Sequence, residues 1–94
     1  MTQKIAVSVF FGILPPFDFT AEVFDGEVQS CLKRSVGVLG AGGFVWKVGD
    51  FTKSGQNVWQ GFIELQLGDL KFFKAILTGI PSIARSRCRV DVTN

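Results

Sequence analysis

The sequence predicts a single α+β domain whose elements run strand, helix, strand, strand, helix, strand. Three observations carry this. Segments Lys4 to Gly12, Val58 to Leu67 and Arg85 to Val92 alternate apolar and polar residues with the period of a half-buried strand. Two other segments, beginning at Thr20 and Asp69, carry apolar stripes at helical spacing behind a capping residue. The turn-forming run Lys53-Ser-Gly-Gln-Asn57 separates two strand-like stretches and reads as a hairpin loop.

In the first strand, Ile5, Val7, Val9 and Phe11 share one face, and Ala6, Ser8, Phe10 and Gly12 the other. The first set reads as core. Phe10 is the one large apolar residue on the second, and Pro15-Pro16 ends pairing. The apolar run Ile5 to Leu14 is too short to span a bilayer and lacks a small-residue cleavage pattern, so a core strand explains it better than a leader.

The first helix is predicted over Thr20 to Leu39. Ala21, Phe24, Val28, Cys31, Leu32, Ser35 and Leu39 form its stripe, opposite Glu22, Asp25, Gln29, Lys33 and Arg34. Thr20 is the N-cap, Phe19 staples onto Phe24, and acids precede bases as the helix dipole favours. Gly26 costs such a helix about 1 kcal/mol. An Asp25-Gly26 hairpin is the competing local structure. Gly40-Ala-Gly-Gly43 reads as the helix end; it is no phosphate cradle, since it follows a helix and lacks a trailing Gly-Lys-Ser/Thr.

The second strand spans Phe44 to Phe51, with Phe44, Trp46 and Val48 inward and Val45 and Lys47 outward. The third spans Val58 to Leu67, with Gly61, Ile63, Leu65 and Leu67 on the core face and Gln60, Phe62, Glu64 and Gln66 outside. Asp69 caps a second helix whose Leu70, Phe73, Ile76 and Leu77 face inward, ended by Gly79 and Pro81. A hairpin about Gly68-Asp69 competes here, and two such hairpins would make an all-β meander. In the last strand Cys88, Val90 and Val92 face the core, while Arg87, Arg89 and Asp91 face out.

Residues 1–94 hold one core and not two. The chain is 47% hydrophobic and 19% charged, which suits a folded domain and excludes a disordered tail. Its formal net charge of +2 names no partner. With no histidine, imidazole-dependent catalysis is excluded. Two cysteines, Cys31 and Cys88, form no metal-binding spacing and read as reduced thiols, which places the protein inside the cell, in cytoplasm or nucleus. No cofactor and no membrane partner are expected.

The element order is that of the split βαβ, or ferredoxin-like, arrangement: a four-stranded antiparallel sheet with both helices on one face. The first and third strands are then central, and Phe10 and Phe62 lie on the uncovered face. Lys47, Arg87, Arg89, Gln60 and Glu64 flank them, with Lys53 in the hairpin loop. Rings among cations on an open sheet suit stacking of unpaired bases.

On these residues the chain resembles the RNA recognition motif family. Val9-Phe-Phe-Gly-Ile-Leu-Pro15 is similar to the family's strand-one hexamer, with Phe10 at the stacking position. Gln60-Gly-Phe-Ile-Glu-Leu-Gln-Leu67 is similar to its strand-three octamer. Gln60 stands where a cation is usual, Ile63 where Gly or Ala is common, and Glu64 where a second aromatic is usual. The resemblance implies single-stranded RNA binding through Phe10, Phe62, Gln60, Glu64, Lys47, Lys53, Arg87 and Arg89. A protein partner on the same face is the alternative. No enzyme is expected: no nucleophile-base couple is recognisable, and Glu64 beside Phe62 is the sole candidate acid.

Overall fold

The structure is a computed structural model that describes residues 2–12, 19–83 and 88–93, with the side chains of 81–83 left aside. Its elements are β1 (Gln3–Phe11), α1 (Ala21–Ala41), β2 (Val45–Val48), β3 (Thr52–Lys53), β4 (Val58–Leu67), α2 (Leu70–Ile83) and β5 (Cys88–Thr93). The strands form one antiparallel sheet in the order β2-β4-β1-β5, with β3 also paired to β4. This is the ferredoxin-like order, and β1 and β4 are central.

Alternation decides which side of the sheet meets the helices. Ile5, Val7 and Val9 of β1, Ile63 and Leu65 of β4 and Val90 of β5 are buried. They pack against Phe24, Val28, Cys31 and Leu32 of α1 and Phe73, Ile76, Leu77 and Ile80 of α2. Among the described residues no polar or charged residue is buried, so the core is held by apolar burial and not by an internal ion network. Leu67, expected in the core, is 57% exposed because a register shift between Val45 and Trp46 pairs it with the exposed Val45, off the face that Ile63 and Leu65 bury.

Both helix starts form as their caps dictate. The Val23 amide donates to Thr20 Oγ1 at 3.3 Å, and Phe19 meets Phe24 edge-on at 5.9 Å. The Phe72 amide donates to Asp69 Oδ1 at 2.8 Å. Gly26 lies within α1, which removes the competing hairpin. Asp25 then ties helix to sheet: its carboxylate accepts from Trp46 Nε1 at 2.7 Å and from Gln29 Nε2 at 2.8 Å.

Three expectations need correcting. α1 breaks at Gly37, whose φ of 78° and ψ of 173° leave the helical region. The turn beyond it no longer follows the stripe, so Leu39 is 95% exposed; ahead of the break it is Val36, and not Ser35, that packs on the core. α2 continues through Gly79 and Pro81 to Ile83, since Gly79 keeps a negative φ and buried Ile80 holds that turn against the sheet. The stretch Phe44 to Phe51 is two strands. Between them the chain leaves the ladder over Gly49 to Phe51 and drives the Phe51 ring inward, 5.1 Å from Phe19 and 5.0 Å from Phe24. Gly61 lies under that ring: a Cβ there would be 3.0 Å from Phe51.

Candidate nucleic-acid interface

The outer face of the sheet is organised in cross-strand rows that follow from the register. At one end Lys47, Glu64 and Lys4 lie abreast on β2, β4 and β1. Next come Phe62, Ala6 and Thr93, then Thr52, Gln60, Ser8 and Asp91, and last Val58, Phe10 and Arg89. Rows lie two residues apart, about 7 Å. The face therefore alternates charged, aromatic, polar and aromatic.

Phe10 and Phe62 occupy adjacent central strands on the same face, as the sequence implied, but they are not opposite each other. Phe10 pairs with Val58 and Phe62 with Ala6, so the rings are two rows, roughly 13 Å, apart along the strands. Phe62 is 49% exposed and Phe10 is half-buried.

Each ring carries a cation. Lys4 Nζ lies 4.5 Å from the Phe62 centroid, and Arg89 Cζ lies 4.4 Å from that of Phe10. The Arg89 guanidinium also reaches Asp91 Oδ2 at 3.4 Å. Between the rings, Gln60 Nε2 donates to Ser8 Oγ at 3.5 Å. A cleft of about 480 Å³ opens over this polar row, lined by Ala6, Ser8, Asp50, Thr52, Gln60 and Phe62. It offers donors and acceptors of both kinds beside an exposed ring.

The sequence-predicted residues divide. Phe10, Phe62, Gln60, Glu64, Lys47 and Arg89 share the outer face. Lys53 does not: it pairs with Trp59, and its Nζ lies 5.3 Å over that ring on the helix side, among Phe11 and Phe19. Arg87 falls outside the described residues. Lys4, Ser8 and Thr52 were missed. Lys4 and Ser8 are in phase with Phe10 on β1, and that parity was the available signal.

Glu64 stands between Lys4 and Lys47 in register, with a cation on each neighbouring strand. Among the described residues, no cluster of three or more metal-ligating side chains occurs. No described helix is long and apolar enough to cross a membrane.

No family model matches the chain, and no curated protein does. Among solved structures the chain is similar, over 97% of its length, to 26% of a hydantoinase/carbamoylase family amidase from Burkholderia ambifaria, at 15% identity and a TM-score of 0.49. The chain thus spans about a quarter of that protein, and a likeness at this level assigns no activity.

Proposed function

We propose that the outer sheet face binds single-stranded RNA, as a divergent RNA recognition motif acting by binding and not by catalysis. The observation that carries this is the pair of rings on the two central strands, each with a cation over its face and a polar row between. A base stacking on each ring displaces the cation toward the adjoining phosphate. Each stack contributes about 1–3 kcal/mol and gives up about 0.5–1 kcal/mol of exposed cation–π contact. Affinity is accordingly weak to moderate, and it rests on phosphate contacts by Lys4, Lys47 and Arg89. The free, buried thiol of Cys31 suits a reducing, intracellular setting.

A second reading, a protein partner on the same face, draws on the acids Asp50, Glu64 and Asp91 set among those cations. Fluorescence anisotropy of a labelled random single-stranded RNA pool at two salt concentrations separates the two. RNA binding weakens steeply with salt and is lost in a folded Phe10→Ala/Phe62→Ala variant. Absence of binding even at low salt refutes the RNA reading and leaves the protein partner.

A further inference from the structure

Among the described residues, five of the seven exposed large apolar side chains cluster; Val23, at the start of α1, and Phe62, on the outer sheet face, lie apart from them. Val38, Leu39, Val45, Leu67 and Phe72 all lie at one end of the domain, where α1 turns into β2 and β4 turns into α2. Val45 and Leu67 are cross-strand partners, and the ring of Phe44, next in the chain to Val45, lies 5.8 Å from that of Phe72. Val38 and Leu39, 73% and 95% exposed, project from the turn beyond the Gly37 break. That turn closes tightly, the Phe44 amide donating to the Ala41 carbonyl at 3.1 Å. A contiguous apolar surface rimmed by polar residues marks an interaction site on a monomer.

Charge says what kind of surface covers it. From Ser35 to Trp46 the chain carries no charged residue, and Lys33, Arg34 and Lys47 bracket the run. Exposed Lys71 adds a further cation at the start of α2. The acids nearest this end are Asp69, which accepts the Phe72 amide, and Glu64, set between Lys4 and Lys47. Glu27 and Asp50 lie farther off, while Glu22 and Asp25 share a cleft with Trp46 and Lys47 on the flank of the sheet. An uncharged apolar tip collared by the exposed cations Lys33, Arg34 and Lys71, with its nearest acid Asp69 engaged as a helix cap, has the polarity of a segment that adsorbs to anionic lipid.

We propose that this tip docks on an anionic bilayer surface, Val38 and Leu39 entering the headgroup boundary while Lys33, Arg34 and Lys71 meet lipid phosphates and carboxylates. Adsorption of this kind needs no spanning helix. It also leaves Phe10 and Arg89, at the far end of the sheet face, clear of the lipid.

Co-sedimentation of the full chain with phosphatidylcholine vesicles, with and without phosphatidylserine, tests this. The wild type pellets with phosphatidylserine vesicles and stays in solution with phosphatidylcholine alone. Val38→Asp/Leu39→Asp, folded by circular dichroism because neither side chain is packed, abolishes pelleting. Lys71→Gln weakens it about fivefold. Failure of the wild type to pellet, or equal pelleting of the aspartate variant, overturns the proposal. So does concentration-dependent self-association in sedimentation velocity that the same variant removes, since the tip then belongs to a second copy.

Discussion

Replacing Gly68 with alanine tests the packing that joins β4 to α2. Gly68 has a φ of 123°, where a residue with a Cβ is rarely found, and a Cβ built there runs into the Phe44 ring. That ring cannot easily retreat, being packed on Phe72 at 5.8 Å and Phe73 at 6.1 Å. Backbone strain costs about 1–3 kcal/mol and overpacking about 1–3 kcal/mol, together roughly 2–6 kcal/mol. A domain of this size is stable by roughly 5–14 kcal/mol, so Gly68→Ala removes a large share. A loss of about 3 kcal/mol lowers the melting temperature by roughly 12–24 °C. Urea and thermal unfolding followed by circular dichroism measure this. Gly26→Ala is the internal control: it lies in α1 with nothing within 4 Å of the new Cβ, so it stabilises by about 0.5–1 kcal/mol. In a Phe44→Ala background the clash disappears, and Gly68→Ala costs only the strain, about 1–3 kcal/mol. A loss below about 1 kcal/mol in the wild-type background, or an equal loss in both backgrounds, refutes the reasoning.

Glu64→Gln removes the acid from the middle of the outer face, and RNA affinity in the anisotropy assay rises, most at low salt, where charge is least screened. Asp69→Ala removes the acceptor of the Phe72 amide and destabilises the fold by about 0.5–2 kcal/mol, read from the urea midpoint. Burial holds the Cys31 thiol above its ordinary range, with Glu27 adding to the shift and Arg34 opposing it. The unfolded chain therefore ionises first. Stability is full below the ordinary thiol range and falls as pH rises through it toward the folded value, a decline that Cys31→Ala removes from the urea midpoint measured against pH.

The fold was legible where one local rule governed each residue. Period-two burial placed Ile5, Val7, Val9, Ile63 and Leu65 in the core, and short-range capping marked the helix starts at Thr20 and Asp69. Register was less legible. Sliding β4 by two residues against β1 leaves every side chain on its own face, so parity alone cannot say whether Phe10 lies opposite Phe62. The same gap hid Lys4, which is in phase with Phe10 but lies near Phe62. Lys53 was misplaced because it reads as a loop residue by its turn-forming neighbours, whereas the chain re-enters the ladder at Thr52 after the detour over Gly49 to Phe51 and pairs Lys53 with Trp59. Leu39 fits a continuous helical stripe on paper, and one positive φ at Gly37 removes it from the core.

That detour also governs what the sheet can become. A sheet margin with a long straight run of unpaired amides and carbonyls is a template on which a further chain can extend the ladder. Here the margin formed by β2 and β3 offers four residues, then a gap where the chain turns inward, then two. An incoming strand loses its register at that gap, and the ring that creates it is anchored in the core by Phe19 and Phe24. Protection against fibrous growth on this side is therefore as durable as the core itself, and it fails only when Phe51 is pulled out.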